Sequence, residues 1–409
     1  MEIRKIQEND LEAYARLQLR AYPSIRIGSE AEWNSYLERN KQMLDSAECT
    51  LYGYFQENTL LGSLILYHYQ INYLGTWLPI KGIGSVAVDL LHKREGICKT
   101  MITWAEEEIK KEAVSLAFLF PFRPDFYVPL GYGYGPMLFQ YTLDPAVLPP
   151  QGDKSRLMYL SKEDIPRIQD FENTMDASFH GYVKKQDREI NDYFHRISFQ
   201  KIGYFEQNKL EGWMAFNTQN PDPKNFLRSH LYIYEWWCKS LCAKQAFLSF
   251  LHSQKDQYEQ IVYSTVDPSL MHLAKDPRSD KQKMLPPFIS HPVGQVSTSI
   301  FYSVIQPQKI FELLLRHKGL EKHPPFHWEI TRPLPESHLE IVEWPFEPIE
   351  DSKSACIRTN QAIASSLMMG SLSLRQAVSW KLAEVTPEQS LEDLDKALSL
   401  PTPHGTPNC

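Results

Sequence analysis

The amino-acid sequence predicts an α+β protein of more than one domain, built on central sheets. Three observations carry that prediction. The chain has 409 residues, more than one ordinary domain holds. Apolar runs of alternating character interleave with segments of helical period. A proline-rich stretch at residues 144–154, DPAVLPPQGDK, interrupts the pattern and reads as a linker.

Taken in order, residues 1–6 (MEIRKI) alternate as a strand. Asn9 or Asp10 can cap the helix that follows, because a short acceptor side chain satisfies the free N–H groups of a first turn. Leu11, Ala15, Leu19 and Tyr22 then recur on one helical face. Residues 50–55 and 60–69 read as two strands joined by a turn at Gln56, Glu57 and Asn58. Residues 80–88 form a further β-branched run, 97–113 an amphipathic helix, 114–122 an apolar run and 137–143 another strand. Beyond the linker the pattern restarts, with alternating strands around 201–216 and 231–237, a helix at 242–254 and a strand at 260–265. A third block begins near 296, with strands at 299–305 and 327–331, a hairpin near 338–344, and a late helix within SACIRTNQAIASSLMMG. The expected domains are therefore 1–150, 151–295 and 296–409, the last ending in an irregular tail, LSLPTPHGTPNC.

Bulk properties narrow the function. Lys and Arg number 43 against 50 Asp and Glu, a net charge of -7, which argues against a surface built for nucleic acid. No leader-like apolar segment opens the chain, and no run reaches the roughly 18–20 apolar residues of a membrane helix. A cytoplasmic protein that does not engage membranes is expected. Cys49, Cys98, Cys238, Cys242, Cys356 and Cys409 are scattered, as free thiols in a reducing compartment are. Cys238 and Cys242 lie four apart but lack a second ligand pair, and the 13 histidines show no H-E-x-x-H spacing, so no metal is expected. His180 is read as a packing or solvated residue.

One segment carries chemistry: GSVAVDLLHKREGICKT, residues 84–100. A strand enters a turn holding Lys93, Arg94 and Gly96, and a helix starts at once. Backbone N–H groups converge at such a helix N-terminus, the helix dipole is positive there, and Gly lets a phosphate come close. A diphosphate is a natural ligand. An aromatic motif, PDFYVPLGYGYGP (124–136), follows about thirty residues on, after another apolar strand.

These motifs resemble the Eis-type (enhanced intracellular survival) branch of the GNAT N-acetyltransferases. Residues 86–99 (VAVDLLHKREGICK) are similar to its V-A-V-x-P-x-H-R-R-R-G-x-x-R loop, and 126–135 (FYVPLGYGYG) to its I-Y-x-x-F-G-Y-G motif. More loosely, the resemblance covers the whole chain. It implies tandem GNAT-like domains, with mixed sheets flanked by helices, and then a domain like sterol carrier protein type 2. It implies acetyl-CoA as co-substrate, with no metal. Val86, Ala87 and Val88 match positions holding the pantetheine arm. Lys93, Arg94, Glu95, Gly96, Ile97, Cys98 and Lys99 match the diphosphate loop, and Phe122 and Arg123 a second cofactor contact. Tyr127 matches the general acid, and the carboxylate of the last residue, here Cys409, the general base. The sequence departs from the family at Lys93, where Arg or Gln is usual, and at its Asn408–Cys409 end, where an aromatic residue is usual.

The implied reaction is acetyl transfer to a primary amine of a small cationic molecule or a lysine side chain, by direct attack. Trp33 and Tyr22 are candidates for lining the acceptor pocket. A homo-oligomer, up to a hexamer, is also implied. The competing reading is a non-catalytic lipid-binding or scaffold protein that keeps a vestigial cofactor loop.

Overall fold

The computed structural model describes residues 1–225, 228–287, 289–320, 326–333, 339–344 and 355–405. They form two compact units: one drawn from residues 1–135, 180–183 and 300–403, and one from residues 136–179, 184–299 and 404–405. In chain order the strands begin with β1 (Glu2–Lys5), β2 (Cys49–Gln56), β3 (Thr59–Tyr73), β4 (Thr76–Val88), β5 (Leu116–Leu119) and β6 (Gly133–Tyr134). Next come β7 (Met137–Leu143), β8 (Leu157–Tyr159), β9 (Phe199–Glu206), β10 (Lys209–Gln219), β11 (His230–Cys238), β12 (Gln260–Thr265) and β13 (Gly294–Thr298). The last are β14 (Phe301–Val304), β15 (Phe326–Pro333), β16 (Leu339–Trp344), β17 (Ala355–Asn360) and β18 (Ala383–Thr386).

The first unit holds a sheet ordered β1-β2-β3-β4-β5-β14-β6 and a smaller one ordered β16-β15-β17-β18. Helices α1 (Leu11–Ala21), α2 (Glu30–Leu44) and α3 (Ile97–Lys111) belong to the first sheet. Met101, Ile102, Ala105 and Ile109 of α3 are buried in one cluster with Leu64, Leu66, Ile83 and Leu119 of the strands. Each of the Leu, Ile and Met side chains contributes about 1.5–3 kcal/mol by leaving water. In the smaller sheet, Trp328, Ile330 and Ile357 are buried, and the Trp328 ring lies 4.8 Å from Phe311 of the helix Pro307–Lys318. The second unit holds a sheet ordered β13-β7-β12-β11-β10-β9-β8.

The expected turn at 56–58 forms with Glu57 and Asn58 at φ 49° and 66°. The run expected at 201–216 is a second hairpin, β9–β10, turned by Gln207 and Asn208 at φ 47° and 66°. Left-handed backbone at both central residues matches the twist of the strands they join.

Two strands lie elsewhere than the order of the sequence suggests. β7, placed above in the first domain, pairs with β12 and β13 in the second sheet. β14, placed above in the third block, pairs with β5 on one side and β6 on the other in the first sheet. All four of its residues are buried, as a strand flanked on both edges and both faces must be. The domain boundaries expected near 150 and 295 therefore do not coincide with the division of the folded chain. Among the described residues, no helix is long and apolar enough to cross a membrane.

Candidate active site

β4 and β5 run parallel and pair only over Ile80–Ile83 and Leu116–Leu119. β4 continues through Gly84–Val88, still paired with β3 on its other edge, so its β5-side edge opens there. The pairing with β3 slips between Ser63 and Ile65, and Ser85 sits at φ 50°, which marks a bulge. Helix α1 holds that bulge. The Gln18 Nε2 donates to Ser63 Oγ and to the Ser85 carbonyl, both at 2.9 Å. The Tyr22 hydroxyl donates to the Val86 carbonyl at 2.9 Å. The Asp89 N–H donates to Leu61 O on the β3 side at 2.8 Å. Backbone directions alternate along a strand, so the Val88 N–H turns to the open edge.

The connection to α3 is an exposed loop. Asp89 caps a short turn, accepting from the Leu91 N–H at 3.0 Å, and pairs with Arg20 at 3.0 Å. Lys93, Arg94, Glu95, Gly96 and Lys99 are exposed, Cys98 is half-buried and Ile97 is buried. His92 Nδ1 lies 3.0 Å from a Glu95 oxygen. Gly96 is the N-cap of α3 at φ 83°, with no side chain to satisfy the first-turn amides. A Cβ built there would meet nothing within 4 Å, so nothing crowds the start of the helix at that point.

Tyr127 is 3% exposed, at the end of a single helical turn, Pro124–Tyr127. Its ring meets those of Phe126, Phe122 and Tyr132 edge-on, at 5.0, 6.0 and 6.1 Å. Burial raises its hydroxyl above the ordinary value, with Cys98 and Tyr22 as the next contributors. Burial likewise pushes the Cys98 thiol up to about 11 and the Tyr22 hydroxyl up to about 12. A thiol that holds its proton so firmly is no nucleophile at neutral pH. Phe122 is 73% exposed and Arg123 is ion-paired with Asp125. Cys409 lies outside the described residues.

The second sheet repeats the plan with a different outcome. β11 and β12 pair in parallel over His230–Ile233 and Gln260–Tyr263, and β11 then runs on to Cys238. Only Lys239 and Ser240 separate it from the helix Leu241–His252. The Ser240 hydroxyl accepts from the Ala243 N–H at 3.1 Å, so that helix caps itself. A cavity of about 190 Å³ lies beside the end of β11, lined by Tyr234, Trp236, Trp237, Tyr263 and His404 among others.

Two separate family descriptions, both of an acetyltransferase (GNAT) domain, match residues 2–135 and 181–290. The chain is an acyltransferase of the GNAT type. Its fold is shared end to end with solved structures. Eis1 from Mycobacterium abscessus is 15% identical over all of both chains, with a TM-score of 0.74. A GCN5-related N-acetyltransferase from Anabaena variabilis ATCC 29413 is 13% identical, covering 99% of this chain and 98% of its own, at 0.73. One from Kribbella flavida is 13% identical, covering 99% and 97%, also at 0.73. At these identities the likeness is one of fold. No curated protein matches the sequence.

Within this acyltransferase the first domain thus brings the strand end Val86–Val88, the loop Lys93–Lys99 and Tyr127 to one region. Residue patterns did not single out Gln18, which is 4% exposed. It follows Leu11 and Ala15 at helical spacing on the buried face, and a polar residue there was the available signal. Glu106 of α3 is a second omission. Its half-buried carboxyl accepts from Ser303 Oγ at 3.3 Å, and loss of solvent pushes it up to about 7. Trp33 lies under the Arg16 guanidinium, 4.9 Å away. His180 is fully buried: its Nδ1 faces the Leu74 N–H at 3.3 Å and its ring packs on Tyr73 at 5.1 Å.

The glycines of the aromatic motif have a packing role. A Cβ at Gly133 would stand 2.0 Å from the Ala362 carbonyl, so no other residue lets the helix Gln361–Met368 lie against β6.

Proposed function

We propose that this acyltransferase transfers acetyl from acetyl-CoA to a primary amine, either of a small cationic molecule or of a lysine side chain. One observation carries the reading. The N-terminus of α3 is uncapped, its Gly96 leaves open space, and Lys93 and Arg94 flank it. Free amides, a helix dipole and two cations suit a diphosphate. The unpaired edge of β4 at Val86–Val88 suits the amide-bearing pantetheine arm, which can continue the sheet by backbone hydrogen bonds. Phe122 and Arg123 would make a further contact with the cofactor.

The reaction needs the two substrates held in line, a donor for the charge that builds on the carbonyl oxygen, and a proton for the departing sulfur. The Val88 N–H, on the open edge of β4, is assigned to the oxygen. Tyr127, protonated throughout the neutral range, is assigned as the donor to the sulfur. The carboxylate of Cys409 is assigned as the base that accepts the amine proton, on the resemblance alone. The same resemblance suggests a sterol-carrier-like C-terminal region, a cytoplasmic location and a ring-like homo-oligomer.

The test has two arms. Acetyl-CoA should raise Tm, because a ligand of the folded state stabilises it. CoA should be released in the presence of at least one member of a panel of aminoglycosides, polyamines and lysine peptides. No thermal shift and no thiol release with any amine would overturn the reading and favour a lipid-binding or scaffold role.

A further inference from the structure

The small sheet of the first unit carries a group of side chains that the acyl-transfer reading does not use. β15 and β17 run parallel, and His327 stands directly opposite Cys356. Glu329 lies two residues beyond His327. Residues two apart on a strand share a face, so the three side chains emerge on one side of the sheet. Their neighbours Phe326, Trp328, Ile330, Ala355 and Ile357 are buried on the other. The Cys356 Sγ lies 3.4 Å from Glu329 Oε1, and His327 Nε2 lies 4.0 Å from that oxygen. All three ligand atoms fall within 4.8 Å of one another.

The geometry points to a transition-metal site, for Zn²⁺ or an ion of similar preference, held by His327, Glu329 and Cys356. Zinc takes sulfur at about 2.3 Å and nitrogen or oxygen at about 2.0–2.2 Å, in a tetrahedron. Tetrahedral ligands at those lengths stand roughly 3.3–3.6 Å apart. The Cys–Glu pair already meets that spacing, and the other separations close with small side-chain rotations. A thiolate and an imidazole select zinc over calcium or magnesium, which prefer all-oxygen shells. Three protein ligands leave the fourth position to water.

Arg358 bears on the site in two ways. Its guanidinium grips both carboxylate oxygens of Glu329, at 2.6 and 3.1 Å. That fork fixes the carboxylate, as outer-shell partners of metal ligands do. Its positive charge also opposes a cation. Once Cys356 gives up its proton, two negative ligands face one positive neighbour, so the balance still favours the metal. Sequence inspection missed the trio because Cys356 lies on a different strand from the other two, 27 residues beyond Glu329. The H-E-x-x-H pattern belongs to helices.

The test uses the full chain and metal alone. Dialysed against Co²⁺, the protein should take up one ion per chain and show a thiolate-to-cobalt charge-transfer band in the near ultraviolet. Added Zn²⁺ should abolish the band and raise Tm. Cys356→Ser should remove the band, and His327→Gln should weaken Co²⁺ binding at least tenfold, with far-ultraviolet circular dichroism unchanged. Should Cys356→Ser fail to fold, the His327→Gln titration decides by itself. Absence of the band in the parent protein, or a band that survives both substitutions, overturns the site. Neither result depends on acyl transfer.

Discussion

The two GNAT domains share a sheet plan and differ where a strand meets a helix. Each has a hairpin turned by two left-handed residues, and each has a parallel pair that parts after four residues, β4 from β5 and β11 from β12. In the first, residues 89–96 separate β4 from α3 and the helix begins at a bare glycine. In the second, two residues suffice and the Ser240 hydroxyl takes one first-turn amide, that of Ala243. The part of the fold that buries apolar surface is thus common to both. Capacity for an anion depends on whether the helix leaves its amides open. The second domain's opening is instead walled by aromatic rings, with Trp236 and Tyr263 at 5.2 Å and Trp237 and His404 at 5.9 Å.

The contrast can be probed in four ways. Tyr127→Phe should have the largest effect, a loss on the order of 10²-fold in kcat, with KM for acetyl-CoA nearly unchanged. Steady-state kinetics over both substrates would show it, and an unaltered kcat would remove Tyr127 from the chemistry. Gly96→Val comes next. A β-branched residue in left-handed backbone costs about 1–2 kcal/mol, and its side chain would project toward the open phosphate space. KM for acetyl-CoA should rise about tenfold or more, and an unchanged KM would mean that the loop does not grip the cofactor.

Ser240→Ala, the matching change in the second domain, should cost about 1 kcal/mol of stability by denaturant titration and leave KM alone. A change in KM there would mean that both helices serve the cofactor. The smallest signal concerns pH. The Glu106 carboxyl is pushed up to about 7, above its ordinary 4.5. Its protonated form is therefore favoured by folding, a contribution complete below pH 4.5 and lost as pH rises through 7. Glu106→Gln should flatten the fall in Tm between pH 5 and 8, with its largest gain above pH 7. Parallel Tm profiles for the two proteins would show that Glu106 does not titrate there.

The sequence pattern revealed the local elements well. Alternation marked β2, β3 and the residues of β4 that matter. The Ile97, Met101 and Ile109 spacing marked α3, and Gly96 marked its start. What it left hidden is long-range pairing. Phe301–Val304 is a four-residue strand whose partners on β5 and β6 lie more than 160 residues earlier, and no local period encodes a partner. Glu106 escaped notice for a similar reason: its neighbour Ser303 is remote in sequence. Gln18 was within reach, as a polar residue on an apolar helical face.

The placement of β14 has a consequence for how the enzyme is made. The first sheet cannot close between β5 and β6 until Phe301–Val304 has left the ribosome, by which time the whole of the second sheet has already been synthesised. The domain that begins first therefore finishes last. A chain interrupted anywhere before residue 301 leaves the β5 edge without its β14 partner, a template for pairing with other chains.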